Sequence, residues 1–297
     1  DPGLPYSFNR TFDEESGYRT RSILTIPLTT LRGTRVGVMQ LINATCDGQA
    51  TAFSEEAVQY APFFAAHASV AIERGIMTRE LILRMMKMAE MRDPSETGAH
   101  VQRVGAYAAE IYQRMAENQG LDGLEIKRKK DLIRLAAMLH DVGKVAISDL
   151  ILKKPAKLSD EEFATMRWHT VYGAALFAHS TSDLDDLCAD IAQGHHERWD
   201  GTGYPGHVAE DLGKVTRLCA RPKQGEEIPL PARITALADV FDALCSRRSY
   251  KDPWSEDQVL EVIHAERGRH FDPAVVDAFL SIFDVVQAIR EKYRDEA

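Results

Sequence analysis

The sequence predicts an α+β protein: a small α/β portion over residues 1–75, a connector helix over 76–90, and an all-α domain over 91–297. Three observations predict it. Two apolar-rich runs, SILTIPLTT and VGVMQLINA, lie between Arg21 and Ala44 and are joined by a short turn around Gly33, the signature of a β-hairpin. A long apolar-periodic stretch follows Phe53. From about Met91 onward only helical periodicity with helix-start signals remains.

Pro27 inside the first run places that strand at an edge or beside a bulge. Ser54 is a fitting N-cap for the stretch running to about Glu90, which Pro62 and Gly75 interrupt. Asp93-Pro94 then opens a helix whose inward stripe is Val101, Val104, Ala108, Ile111 and Met115. A second helix is expected from about Glu125 to His140, with Gly143 as its stop. Ser159 with Glu162 and Ser255 with Gln258 have capping-box spacing, and Asp272-Pro273 opens the last helix.

Lys and Arg number 36 against 45 Asp and Glu, a net charge of −9, which argues against binding a nucleic-acid polymer through its backbone. A phosphate-bearing ligand would need a local basic pocket or metal ions. No run approaches the roughly 20 apolar residues of a membrane-spanning helix, so a cytoplasmic protein, or the water-facing part of a larger one, is expected. Cys46, Cys188, Cys219 and Cys245 are widely spaced and include no CxxC pair, so metal ligands would come from His and carboxylates.

Five of the ten histidines, His100, His140, His169, His195 and His196, fall in helical segments or beside Gly-rich loops, with His140 next to a carboxylate and His195 and His196 next to each other. Imidazole with carboxylate suits Fe, Mn or Zn, and a His140-Asp141 doublet can supply a nitrogen ligand and a bridging carboxylate. Each piece also has a plainer reading. His140-Asp141 could serve a helix end as cation and cap, and Lys144 one turn on could be solvated. His169 after Trp168 could be a half-buried histidine with an ordinary partner. His195 continues the inward stripe of Leu184, Leu187, Cys188 and Ile191, where a polar group must find a partner or a metal. Asp239 and Asp242 sit among Ile234, Leu237, Phe241 and Leu244, with a solvated face as the alternative to cation binding. Glu96 lies at the N3 position after Asp93, a sufficient capping role, and also one turn before His100.

Taken together, HDVGK (140–144), a lone His169, HHERWDGTGYPG (195–206) and ADVFDAL with Arg248 and Lys251 behind it resemble the HD-GYP family. That family is a branch of the HD phosphohydrolases that linearises cyclic di-GMP; the resemblance runs from about Met88 to about Ala288. It implies metal ligation by His100, His140, Asp141, His169, His195, His196 and Asp239, with Asp141 bridging and Glu96 standing where a third-metal ligand is found. Two or three divalent ions, iron or manganese, are expected. His140, Asp141 and Lys144 would carry catalysis; Lys144, Arg248 and Lys251 would contact phosphates, and Tyr204 would shape the site. The product would be pGpG, with onward cleavage to GMP as a slower step. The same chemistry on another cyclic dinucleotide, such as cyclic GMP-AMP, is the alternative enzyme reading. A non-catalytic scaffold whose GYP loop binds a partner such as a GGDEF-type cyclase is the other.

The connection between Pro205 and Asp239, through VTRLCARPKQGEEIPL, is longer than the family pattern by roughly a dozen residues. It is expected to form a surface loop, or a lid whose Arg217, Arg221 and Lys223 lean toward phosphate. The first 75 residues resemble the C-terminal half of a GAF domain, in FDEESGYRTRSILTIPL, GVMQLIN and AFSEEAVQYAPFFAAHASVAIE. A partial GAF domain would serve sensing or dimerisation, and the periodicity of residues 55–90 suits a parallel helix pair in a homodimer.

Overall fold

A computed structural model describes residues 9–92, 97–179, 182–211, 214–218, 221–246 and 254–294. The chain divides into two compact units, residues 1–81 and 82–297. In the first, α1 (Thr11–Ser16) precedes an antiparallel hairpin of β1 (Ile23–Thr29) and β2 (Arg35–Ile42), followed by the short pair β3 (Thr45–Cys46) and β4 (Gln49–Ala50). The hairpin turns at Gly33, whose φ of 80° favours glycine. Pro27 stands opposite Val38, and the register shifts between Leu28 and Thr29, so the strand is both a sheet edge and irregular, as a proline there requires.

Helix α2 (Glu55–Arg92) runs without interruption through Pro62 and Gly75, where the sequence suggested breaks. Its last turns belong to the second unit, where Ile82 and Met86 join the hydrophobic core. Arg92 ends the helix by donating to the Ile147 carbonyl at 2.6 Å and the Asp149 carboxylate at 3.1 Å.

The second unit is helical around one core. Its elements are α3 (Gly98–Asn118), α4 (Gly123–Ala137), a 3-10 turn (Val142–Ala146), α5 (Asp149–Leu152), α6 (Asp160–Met166), α7 (His169–Ala175) and α8 (Asp183–Gly194). After β5 (Val208–Asp211), β6 (Lys214–Leu218) and a 3-10 turn (Gly225–Glu227) come α9 (Leu230–Cys245), α10 (Glu256–Ala265), α11 (Pro273–Ser281) and α12 (Phe283–Lys292). Val104, Tyr107 and Ile111 of α3, Ile133 of α4, Ile191 of α8, Ile234, Leu237 and Phe241 of α9 and Phe279 of α11 close the core with at most 1% exposure each.

Several boundaries differ from the sequence reading, each for a local reason. Helix α3 is capped by Thr97, whose hydroxyl accepts from the His100 amide at 3.1 Å, not by Asp93, which lies outside the described residues along with Glu96. Helix α4 starts earlier than Glu125 because the Asp122 side chain accepts from the Leu124 and Glu125 amides, and it ends at Ala137. Beyond it the chain tightens into i→i−3 bonds from Leu139 and His140 to the Ala136 and Ala137 carbonyls, so His140 sits in a turn. The capping boxes at Ser159 and Ser255 form, and Asp272 caps α11, but the final helical stretch breaks at Ile282 into two. The domain expected to be all-α also contains the β5–β6 hairpin, with Val208 paired to Leu218 and Asp211 to Lys214. This hairpin occupies the long connection after Pro205. Four to five residues of alternation there were too short a signal beside the surrounding helical pattern.

Gly143 is required by close approach. A Cβ there would run into the His169 carbonyl and the Gly173 backbone, and Gly173 in turn lies against Ala192. Two glycines therefore let the Val142–Ala146 turn seat on α7. Gly143→Ala should destabilise the fold by about 1–3 kcal/mol through overpacking, read as a lower urea midpoint with unchanged slope.

Candidate metal centre

The second unit brings seven of the residues singled out in the sequence into one place. Donor atoms of Asp141, His169, His195 and His196 lie within 4.8 Å of one another, as do those of His100, His140 and Asp239. The two groups share a border: the His140 and His195 rings are 5.1 Å apart, and the His140 Nε2 lies 3.3 Å from Asp141 Oδ2.

The local fold decides which atoms face inward. His140 Nδ1 lies 2.9 Å from the Ala137 carbonyl, His169 Nδ1 2.7 Å from the Met166 carbonyl, and His195 Nδ1 3.0 Å from the Ile191 carbonyl. A carbonyl only accepts, so in each ring Nδ1 carries the proton and the Nε2 lone pair is turned to the centre. His100 Nδ1 donates in the same way to Asp242 Oδ2 at 2.8 Å. Each imidazole is thus oriented from behind, the arrangement that fixes histidine ligands in metal sites.

The inward atoms meet mostly other acceptors. His169 Nε2 and His195 Nε2 approach Asp141 Oδ1 to 3.1 and 3.5 Å. All three atoms are buried, and among the described residues none has an aligned hydrogen bond. Asp239 Oδ1 lies 3.5 Å from His100 Nε2 and 3.9 Å from His140 Nε2. Burial would raise the Asp141 carboxyl, but the Lys144 ammonium, 2.7 Å from Oδ2, holds it well below the usual carboxylate range. Burial pushes His195 below the usual histidine range, and His196 well below it, the latter helped by the neighbouring His195 and His169. A carboxylate held in its ionised form at Asp141, imidazoles that burial keeps uncharged at His195 and His196, and further imidazole and carboxylate atoms crowded beside them fit divalent cations, with Asp141 offering Oδ1 to one group and Oδ2 toward the other.

The HHERWDGTGYPG loop is pinned at several points. Glu197 Oε1 accepts from the Gly206 amide at 2.5 Å, the Tyr204 amide donates to the His196 carbonyl at 3.2 Å, and the Trp199 and Asp200 amides donate to the His270 and Arg269 carbonyls. The Tyr204 ring stacks on His196 with centroids 4.8 Å apart, and burial pushes its phenol upward, so it stays protonated.

Of the remaining sequence candidates, Lys144 pairs with Asp141. Arg221 pairs with Glu227 and so does not present the phosphate-facing cation that the sequence suggested. Glu96, Arg248 and Lys251 lie outside the described residues, as does the Arg217 side chain.

Two features escaped the sequence reading. Asp242 is not a solvated or metal-facing carboxylate: it is fully buried, and Arg103 grips it through Nε and Nη2 at 2.6 and 2.8 Å while His100 donates to it. Burial alone would raise its pKa, but His100 and Arg103 bring it below the ordinary value. The i,i+3 spacing shared by His100–Arg103 and Asp239–Asp242 was the available signal. Arg167, one helical turn from Phe163, was the other.

Two overlapping family models, each described as HD domain, match residues 97–244 and 220–275. The chain belongs to the HD-domain family. It is 43% identical over 218 residues to "3'3'-cGAMP-specific phosphodiesterase 2" of Vibrio cholerae, covering 73% of this chain and 37% of that one. It is 41% identical over 226 residues to a "Cyclic di-GMP phosphodiesterase" of the same organism, covering 74% and 43%. A "Cyclic di-GMP phosphodiesterase" of Thermotoga maritima is 37% identical over 216 residues, covering 72% and 52%. The chain therefore spans about half the length of these relatives, or less. Among the described residues no helix is long and apolar enough to cross a membrane.

Replacing Asp242 by Asn removes the charge that orients His100 and balances Arg103. Asp242→Asn should weaken metal binding by the HD domain about 10–100-fold, measured by competition with a chromophoric chelator.

Proposed function

We propose that the chain is a metal-dependent phosphodiesterase that opens cyclic di-GMP to linear pGpG, with slower cleavage to GMP. The observation that carries this reading is the convergence of seven His and Asp donors with their lone pairs facing a common centre. Relatives named for hydrolysis of cyclic dinucleotides support that substrate class.

His100, His140, Asp141, His169, His195, His196 and Asp239 would hold two divalent ions, iron or manganese, with Asp141 bridging and Glu96 available to a third. Bound there, the ions supply an activated water and neutralise charge on the nonbridging phosphate oxygens. In the hydrolysis, water adds to phosphorus and the ribose 3′ oxygen leaves as a hydroxyl, so the product retains a 5′-phosphate. Asp141 serves the reaction only as a carboxylate, and its low pKa keeps it one at neutral pH. Lys144, beside Asp141 at the rim, supplies a point charge to a phosphate together with Arg248 and Lys251. Tyr204, protonated and stacked on His196, walls the site.

In the same reading, residues 1–75 are a partial GAF domain and residues 76–90 a connector through which two chains pair as a homodimer. The exposed Met77, Leu81, Met88 and Met91 of α2 support that pairing. The protein acts in the cytoplasm of a bacterium, and its GYP loop is the surface for a GGDEF-type cyclase partner.

A second enzyme reading, hydrolysis of 3′3′-cGAMP, is favoured by the 43% identity to a relative of that specificity. Both are tested by chromatographic turnover of cyclic di-GMP and 3′3′-cGAMP after anaerobic loading with Fe(II) or Mn(II). Accumulating pGpG is the expected result, and Asp141→Ala should lower kcat/KM on the order of 10²–10³-fold, the scale of losing one charge-stabilising group. Metal-loaded native protein that turns over neither dinucleotide would defeat the reading.

A further inference from the structure

We infer that Arg167 is a specificity-determining residue that recognises a guanine base of the substrate; the inference rests on the phosphodiesterase reading and extends it. Arg167 lies between α6 and α7, two residues before His169. Its guanidinium carbon is 4.8 Å from the centroid of the Phe163 ring and 5.1 Å from that of Tyr204. Those two rings meet edge to face at 6.1 Å, and Tyr204 is in turn stacked on His196. A planar cation, two aromatic rings and a candidate metal ligand thus form one continuous wall beside the metal centre.

The cation has no counter-charge in that wall. Among the described residues the Arg167 side chain makes no hydrogen bond and no ion pair, and its Nε is buried without a partner. Cation–π contacts to two rings hold it in place but satisfy none of its in-plane N–H groups. A protein of net charge −9 leaves a guanidinium without a carboxylate near a site where a ligand can supply the acceptors.

The acceptors fit a base better than a phosphate. Phe163 is 41% exposed although it abuts the site, and an exposed ring offers a stacking face that a phosphate would not use and a base would. Guanine presents O6 and N7 side by side, two acceptors matched to the guanidinium fork, whereas adenine places an amino donor beside N7. A base stacked against Phe163 with its Hoogsteen edge toward Arg167 would lie beside the Tyr204–His196 stack, and so next to the metal-binding donors.

The test compares native protein, Arg167→Ala and Arg167→Lys, all metal-loaded and full length, on cyclic di-GMP, 3′3′-cGAMP and cyclic di-AMP. Metal content and turnover of bis(4-nitrophenyl) phosphate, a diester without a base, are measured in parallel. Arg167→Ala should raise KM for cyclic di-GMP about tenfold or more with a much smaller change in kcat, and should shrink the preference for cyclic di-GMP over cyclic di-AMP by a similar factor. Arg167→Lys, which keeps the charge but not the fork, should also lose the preference. Bis(4-nitrophenyl) phosphate turnover should change far less than the KM for cyclic di-GMP. Equal losses on all three dinucleotides would make Arg167 a phosphate contact, and loss of metal would make it structural; either overturns the inference. So would unchanged kinetics. If the native protein is active and Arg167→Ala matches it, the inference alone fails; a native protein inactive on every dinucleotide removes the phosphodiesterase reading and this inference with it.

Discussion

The second unit is organised around acceptors that face one another. Nε2 of His169 and His195 and Oδ1 of Asp141 converge in a buried space without aligned donors among the described residues, and Asp239 adds a further carboxylate oxygen near His100 and His140. Buried unsatisfied polar groups each cost a few kcal/mol, so such a cluster is unstable by itself. It is also rigid, because every Nδ1 with an acceptor behind it has its orientation set by a backbone carbonyl or by Asp242. The only nearby ammonium, among the described residues, that meets the central carboxylate is Lys144, and it reaches Oδ2 but not the orphaned Oδ1. Divalent cations held by these donors would resolve the frustration without moving the protein, and the surrounding helices fix the geometry such cations would meet.

That constraint explains several features that look unrelated along the chain. Close glycine contacts bring the HDVGK turn onto α7, so Asp141 meets His169. The Arg103–Asp242 pair joins α3 to α9 through a bidentate contact at nearly zero exposure, and it thereby fixes His100 relative to Asp239. A buried pair of this kind contributes little net stability, but removing either partner strands the other, so it holds geometry more than it adds free energy. Arg92 performs a similar service at the edge of the unit, tying the end of α2 to the backbone just beyond Lys144.

Five of the seven candidate donors were legible in the sequence through local motifs: a His-Asp doublet ahead of a glycine, a His-His doublet continuing an apolar stripe, and a carboxylate inside an apolar helix; His100 and His169 carry no such motif and entered through the family resemblance. The supporting contacts were not legible, since they depend on pairing between α3 and α9, which no local pattern encodes. The helix starts at Ser159, Ser255 and Asp272 were readable from capping chemistry that acts within four residues. Thr97 was hidden by the stronger Asp93-Pro94 signal and by Gly98, a poor helix former, directly after it. The β5–β6 hairpin was hidden by its brevity. Asp242 was misjudged for a different reason: a buried carboxylate reads the same in sequence whether it faces a metal or a guanidinium.

Charge explains how such a site is compatible with a polyanionic ligand. The chain carries nine more acidic than basic groups, and its candidate central donors are carboxylates and imidazoles, with His195 and His196 held uncharged by burial, so the protein alone repels phosphate. Divalent ions held at the site would invert the sign locally, and a few cations at the rim would then act at short range, where solvent screens them least. Lys144 sits at that rim with its ammonium on Asp141. Arg167 differs from it in kind, because its charge is held flat against aromatic rings and has no carboxylate partner among the described residues. A point charge suits a phosphate from any direction; a planar fork suits only a ligand that brings two acceptors in one plane. Under the proposed reading, the division between the two cations would match the two parts of a nucleotide, one common to all cyclic dinucleotides and one that tells them apart.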